Sequence, residues 1–355
     1  MPFALPARYQ PKTTVSAGGM GIVQQYRDTS LDRDVAVKFT RRLDNIDRIY
    51  DELRALQQLR SNHVVQLYDV IRRTPKSFEI ALVEEYLPGA DLDEADPMSG
   101  KQLLHTLWQI ASGLADVHKV GLIHRDIKPS NLKLGIDRHI KLIDFGLTRS
   151  TGTRAQTVGF VGTEIYAAPE LYAGGSVSFD QKVDVYAFGV TAWELTGVPF
   201  PRCLVQRPPV FHPNTTNFTI ADPALPADVA AQLQSCVATS PADRPEIGTV
   251  KGVLAMHILR DRHRALAVTQ GQEHRLDASR RGIQIRVQSG DGAVIQYDGL
   301  VFSLSAVSGT VYVNNMPATP GMVLPGCCVI AFGSTDNPQQ RVYTTFDVSQ
   351  PEIPI

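Results

Sequence analysis

Hydrophobic and polar positions divide the 355 residues into three regimes. Near the start, apolar residues alternate with polar ones, which predicts strands over 13–25, 33–40, 64–72 and 78–86. Between the second and third of these, Ile46, Ile49, Leu53, Leu56 and Leu59 recur at steps of three and four. That period predicts a helix over 45–59 with one buried face. From 101 to 258 the pattern is mainly helical, with Pro/Gly-rich breaks near 199–213 and 221–226. After 264 it changes again. IQIRV (283–287), TVYVNN (310–315) and RVYTTFDV (341–348) are short alternating runs between turn residues, the pattern of an all-β module. The charged stretch 260–264 reads as the end of the last helix and the start of a linker. The expected organisation is a mixed domain over 9–262, a linker over 263–275 and a β-rich module over 276–355.

Composition narrows the partners more than the fold. Lys and Arg number 35 against 36 Asp and Glu, a formal net charge of -1. A nucleic-acid binder or a polybasic membrane binder needs an excess of basic residues on one face, so neither is expected. Four cysteines, Cys203, Cys236, Cys327 and Cys328, have neither disulfide density nor CxxC spacing and read as reduced thiols. The opening MPFALPARYQPK has no apolar run of the kind an export signal needs. The stretch 299–335 lacks charge, but Pro317, Pro320 and Pro325 interrupt it, so no membrane span is expected. The expectation is a soluble, cytoplasmic protein.

The chemistry concentrates in HRDIKPSN (124–131) and IDFG (143–146). Phosphoryl transfer from ATP needs a carboxylate to orient a hydroxyl, a cation for the moving phosphate, and oxygen ligands for magnesium. Asp126, Lys128, and the pair Asn131 with Asp144 can supply these in that order.

On these motifs the chain resembles the protein-kinase superfamily, in particular its bacterial-type, eukaryotic-like Ser/Thr kinases. The resemblance spans 9–262. It implies an α+β, bilobal kinase fold: a small β-rich N-lobe and a helical C-lobe, here followed by a small all-β sandwich-like domain. SAGGMGIV (16–23) resembles the glycine-rich phosphate loop, so Ser16, Gly18, Gly21 and Val23 are expected over the nucleotide. Lys38 in VAVK resembles the lysine that holds the α- and β-phosphates, with Ala36 beside it and Glu52 as its ion-pair partner. Glu84, Glu85 and Leu87 fall where the adenine pocket is expected, the backbone of the last two offering hydrogen bonds. GTEIYAAPE (162–170), Asp184 and Arg244 match further landmarks. By analogy Arg244 pairs with Glu170 and Asp184 supports the catalytic-loop backbone. The implied cofactors are ATP and Mg2+ or Mn2+, and the implied partners are proteins bearing Ser or Thr. Lys128 and Thr163 follow the Ser/Thr pattern, and Arg125 is placed to pair with a phosphate on Thr151, Thr153 or Thr157.

Three positions depart from the family. Ser16 replaces the first loop glycine. Glu84 puts a carboxyl group at the back of the adenine pocket, where a pairing with Lys38 or with the helix of Glu52 is expected. Lys133 stands where an apolar floor is usual, so its methylene stem is expected to serve while its ammonium turns outward. None removes a catalytic group. The alternative is a pseudokinase-like scaffold that binds nucleotide and partners without transfer.

The module 276–355 resembles a forkhead-associated domain, a β-sandwich that binds phosphothreonine. Ser279, Arg280 and Arg281 are similar to its phosphate-contacting Ser-Arg, and 308–315 to its Asn-Gly-Thr-x-x-Asn-Gly turn. Gly282 stands where histidine is usual and Ser308 where asparagine is usual. The expected partner is a phosphothreonine segment or another protein. Cys327 and Cys328, adjacent on one strand, are expected on opposite faces.

Overall fold

The computed structural model describes residues 4–18, 21–40, 46–74, 80–150, 164–172, 180–210 and 216–353. It divides into two compact units, 1–254 and 255–354. The first begins with strands β1 (Tyr9–Gly18), β2 (Gly21–Asp28) and β3 (Arg33–Thr40), helix α1 (Ile46–Gln58), and strands β4 (Leu67–Arg72) and β5 (Ile80–Glu85). The five strands form one antiparallel sheet in the order β1-β2-β3-β5-β4. The stretch 13–25, expected as one strand, belongs to two. Gly18 pairs with Gly21 around residues 19 and 20, which lie outside the described residues.

Alternation sorts the sheet into two faces. Tyr26, Val35, Val37, Phe39, Ala81 and Val83 form a core on one. The register places Val23, Lys38 and Leu82 in a row on the other, with Gln25, Ala36 and Glu84 in the next row. On that second face Leu53 of α1 packs with Ile80 and Leu82. Leu56 and Leu59 are buried as the helical period requires. The same period turns Glu52 inward, and it is 1% exposed.

Beyond β5 the unit is mainly helical. Helix α2 (Gly100–Lys119) buries Leu103, Leu107, Ile110, Leu114 and Val117 along one stripe. Short strands follow: β6 (Leu122–Ile123), β7 (Leu132–Leu134), β8 (Ile140–Leu142) and β9 (Arg149–Ser150), with β6 paired to β9 and β7 to β8. These two ladders bring the segments 124–131 and 143–148 side by side. Helix α3 (Lys182–Leu195) buries residues all round its circumference. The unit continues through α4 (Arg202–Val205), α5 (Phe218–Ala221), α6 (Ala227–Cys236) and the first part of α7 (Ile247–Ile258). No helix among the described residues is long and apolar enough to cross a membrane.

The second unit is built from β10 (Ala265–Thr269), β11 (Gln272–Leu276), β12 (Gly282–Arg286), β13 (Gly292–Tyr297), β14 (Phe302–Ser308), β15 (Val311–Val313), β16 (Met316–Pro317), β17 (Cys327–Phe332) and β18 (Val342–Val348). A six-stranded sheet has the order β11-β10-β18-β17-β15-β16, and a three-stranded one the order β12-β13-β14. Their buried residues, among them Ile285, Ile295 and Leu304 from the smaller sheet and Ala267, Ile330 and Phe346 from the larger, form one core. Cys327 is exposed and Cys328 buried, on opposite faces.

Two expectations are overturned here. The segment 263–275 is no linker: it holds β10 and most of β11, paired from Ala265↔Leu276 to Thr269↔Gln272. The two-residue turn between them, Gln270 and Gly271, has φ of 48° and 79°, the conformation of a tight hairpin. Its outer strand carries Glu273 and Arg275 toward solvent, and that polarity disguised it.

The phosphothreonine motif is also not assembled. Gly282 is in register with Gln296, which pairs with Ser303, whereas Arg286 is in register with Gly292, which pairs with Ser308. Ser279–Arg281 therefore lie at one end of the three-stranded sheet and Ser308–Thr310 at the other, about 15 Å apart along the strands. Each group already has an internal acceptor. Ser279 Oγ donates to Asp277 Oδ1 at 2.6 Å, Arg281 Nη2 to Asp261 Oδ1 at 2.6 Å, and the Thr310 N–H to Asp291 Oδ1 at 2.7 Å. Asn314 and Asn315 form a hairpin turn with φ of 47° and 65°.

Candidate active site

Three carboxyl groups surround one ammonium between the sheet and α1. Lys38 Nζ contacts both Oε1 and Oε2 of Glu52 at 2.8 Å and Oδ1 of Asp144 at 3.3 Å. Burial alone would lower the Lys38 pKa, but Glu52, then Asp144 and Glu84, hold it well above the ordinary lysine range. Burial would likewise raise Asp144, yet Lys38 above all holds it below the usual carboxylate range. Asp144 is therefore ionised at neutral pH and presents hard oxygen atoms.

Glu84 does not pair as expected. Its Oε1 has no water access and no hydrogen-bond partner. The reason is stoichiometric: the Lys38 ammonium is already taken by Glu52 and Asp144. Burial, and next the Glu52 charge, push the Glu84 carboxyl up to about 8. In the unfolded chain it loses its proton near the ordinary 4.5, so from that pH to about 8 the folded form binds the extra proton. Stability then falls as pH rises through this window. Glu84→Gln is expected to raise unfolding free energy at pH 7 by at most about 3 kcal/mol, an advantage that disappears near pH 4.5. Urea unfolding at both pH values checks this; an advantage independent of pH would contradict it.

The loop after β6 carries the second cluster. Asn131 Nδ2 donates to the Asp126 backbone oxygen and to Asp126 Oδ2, both at 2.8 Å. Lys128 Nζ lies 2.9 Å from the same Oδ2. Arg125 is held at a φ of 71°, a left-handed conformation unfavourable for a side chain of its size. Asp184, fully buried on α3, supports it by accepting the His124 N–H and the Arg125 N–H at 2.8 Å each, and it meets His118 Nε2 at 2.9 Å. Burial opposes ionisation of Asp184, but His118 first among its partners keeps its pKa low. His118 was missed in the sequence, although it sits just ahead of the loop motif in VHKVGLIHRD. His124 and Phe145 are both fully buried, their rings crossed at 4.6 Å between centroids.

Further from the loop, Arg244 is bidentate to Glu170 at 2.8 and 2.7 Å. Its remaining N–H groups reach the carbonyls of Ala238, Lys182 and Thr239. Tyr166 Oη donates to Glu194 Oε2 at 2.5 Å.

The other candidates are placed as follows. The backbones of Ser16 and Gly18 pair with Val23 and Gly21. Ala36 lies opposite Glu84 in the ladder. The Glu85 side chain turns to Lys141 at 2.8 Å, and the Leu87 N–H has no acceptor among the described residues. Lys133 Nζ pairs with Asp91 at 3.0 Å. Thr151, Thr153, Thr157 and Thr163 lie outside the described residues.

The donor set fits a hard divalent cation. Asn131 commits its amide N–H groups to Asp126, which leaves its Oδ1 as an oxygen ligand beside the ionised Asp144. Magnesium commonly takes one or two protein oxygens and completes its shell with phosphates and water. No cluster of three or more His, Cys, Asp or Glu suited to a metal exists among the described residues.

Two buried ion clusters thus lie on neighbouring segments of the first unit, and comparison with known proteins gives the family. A model of the protein kinase domain matches residues 9–251, so the chain belongs to the protein kinase family. It is 36% identical over 202 residues to "Mitogen-activated protein kinase 14" of Xenopus laevis, covering 54% of this chain and 55% of that one. It is 32% identical over 212 residues to "Probable serine/threonine-protein kinase pknA2" of Bifidobacterium longum, covering 55% and 27%. The "Maternal embryonic leucine zipper kinase" of Danio rerio is 35% identical over 196 residues, covering 53% and 28%. The chain thus spans about half or less of the length of these curated relatives. Membership implies ATP and a divalent metal.

Proposed function

We propose that this chain is a Ser/Thr protein kinase that transfers the γ-phosphoryl group of Mg-ATP to protein hydroxyls, its own included. The observation that carries the reading is the pairing of Lys38 with both Glu52 and Asp144. It joins sheet, helix and the 143–146 segment into one site. In this reading the sheet with α1 is the small lobe of a bilobal kinase, and the helical part is the large lobe. Lys38 holds the phosphates, and Asn131 and Asp144 hold the metal, which screens the phosphate charge when bound. Asp126 accepts the hydrogen bond of the incoming hydroxyl and so fixes its direction of attack. Lys128, 2.9 Å from Asp126, supplies positive charge where the transferring group becomes more negative. Ser16, Gly18, Gly21, Val23, Ala36 and Leu87 enclose the nucleotide, with Lys133 as its floor.

The second unit is read as a sandwich-like module of forkhead-associated type that has lost that family's phosphate site, and it serves to dock protein partners. Nothing in the chain calls for nucleic acid, and a cytoplasmic location suits its thiols. The scaffold alternative requires nucleotide binding without transfer; the intact geometry of Lys38, Asp126 and Asp144 favours the enzyme. Incubating the full chain with γ-labelled ATP, Mg2+ and unstructured acceptor peptides, then hydrolysing to amino acids, is expected to give label on Ser or Thr. Nucleotide binding with no labelled Ser or Thr would overturn the reading.

A further inference from the structure

Lys141 is a buried lysine that the phosphoryl-transfer reading leaves without a task. It stands on β8, three residues ahead of Asp144, with a side chain 4% exposed. Its Nζ lies 2.8 Å from Glu85 Oε1 and 3.3 Å from Oδ2 of Asp137, a half-open residue on the turn between β7 and β8. Glu85, at the end of β5, is held on its other side by Gln66. The Gln66 N–H donates to Glu85 Oε2 at 3.3 Å, and the Glu85 N–H donates to the Gln66 carbonyl at 2.9 Å. The Gln66 side-chain amide is anchored in turn on the carbonyls of Ser61 and Val64, at 2.8 and 3.0 Å. β8 is joined to this same stretch. The Leu142 N–H donates to the His63 carbonyl at 2.9 Å, and the Val65 N–H donates to the Leu142 carbonyl at 3.0 Å.

A buried ion pair is a poor device for stability alone. Taking two charges out of water costs about as much as their attraction returns, and an apolar pair of similar volume is often as stable or more so. What such a pair fixes is direction. The ammonium on one carboxylate oxygen sets where the Glu85 side chain ends, and the Gln66 N–H on the other oxygen sets its plane. The main chain that runs from Glu85 to Leu87 is thereby tied to β8, the strand that leads to Asp144. Leu87 is buried, and its N–H has no acceptor among the described residues.

Resting on the reading of this site as an ATP site, we infer that Lys141 is a positioning residue for the nucleotide base: through Glu85 it sets the 85–87 backbone, which meets adenine, relative to β8 and the metal ligand beyond it. One contact then holds the base end and the phosphate end of the site at a fixed spacing. Lys141 acts through Glu85 and takes no part in the transfer itself.

The test measures initial rates of label transfer by the full chain at varied ATP, with adenosine as a competing base that carries no phosphate. Wild type is compared with the double variant Glu85→Leu, Lys141→Met, an apolar pair of similar volume, and with Glu85→Asp, which keeps the charge on a shorter side chain. The double variant is expected to unfold in urea at or above the wild-type midpoint. Its KM for ATP should nevertheless rise about tenfold, the worth of about one well-placed hydrogen bond to the base, with kcat kept within about threefold. The inhibition constant of adenosine should rise by the same factor, about tenfold. Glu85→Asp should raise both constants by at least about threefold, and it carries the test if the double variant does not fold. KM within about twofold of wild type in a folded variant overturns the inference while leaving the kinase reading intact. A kcat that falls as far as KM rises overturns it too, because the pair would then serve the transfer step. So does an adenosine constant that stays the same in the variants, or a wild type that adenosine does not inhibit. A wild type that transfers no label overturns the kinase reading itself.

Discussion

Lys38→Met is expected to lower kcat/KM for ATP by about 10²- to 10³-fold, with the chain still folded. The magnitude follows from what the ammonium neutralises. Glu52 lies 2.8 Å away with 1% side-chain exposure, and Asp144 lies at 3.3 Å. Removing one member of such a buried set leaves like charges facing each other, and breaking a buried pair in this way costs about 3–5 kcal/mol. Glu52 then has no reason to hold α1 against the sheet. Asp144 also loses the main influence keeping it ionised, so its hold on the metal weakens together with the contact to the phosphates. Initial rates of phosphorylation at varied ATP, with circular dichroism as the control for folding, measure the effect. A folded variant with wild-type kcat/KM would show that this cluster does not serve ATP.

The largest stability effect is expected at Arg244. Its side chain has no solvent exposure and all five of its N–H groups are engaged, by the two Glu170 oxygens and the carbonyls of Ala238, Lys182 and Thr239. The guanidinium carbon also lies 5.0 Å from the centre of the Tyr186 ring. Methionine fills similar space but donates nothing, removing five N–H donors from one carboxylate and three carbonyls. Arg244→Met should therefore cost the first unit about 3–5 kcal/mol in urea unfolding. Glu170→Gln, which keeps one acceptor and sits at a partly open position, should cost less. The double variant should fall well short of the sum, because both changes break the same contact. A loss below about 1 kcal/mol for Arg244→Met would mean that the site relaxes or hydrates far more than its burial implies.

Much of this site could be read in the sequence because the chemistry lies in short, contiguous segments. HRDIKPSN carries Asp126, Lys128 and Asn131 within six residues, so local spacing alone juxtaposes them. The helix of Glu52 was legible from Ile46 to Leu59 because its apolar period is undisturbed. What the sequence concealed depends on pairing between distant strands. The solitary state of Glu84 follows from competition for one ammonium between residues 52 and 144. The separation of Ser279 from Thr310 follows from the register of three strands, which motif spacing does not report. β11 was missed because an exposed outer strand needs no apolar alternation on its open side, and QEHRL has little. Its real signal was the Gln-Gly pair before it, a hairpin turn whose first residue is unusual at positive φ.

Asp126→Asn tests the account most directly. The substitution keeps shape and removes the charge that orients the acceptor hydroxyl, while Lys38, Glu52, Asp144 and the base pocket are untouched. The decisive measurement places wild type and Asp126→Asn side by side, reading both the dissociation constant for ATP and the rate of label transfer from γ-labelled ATP. ATP affinities are expected within about threefold of each other, with a transfer rate lower in the variant by about 10²- to 10⁴-fold. Equal, background-level transfer in both, with ATP bound, would contradict it.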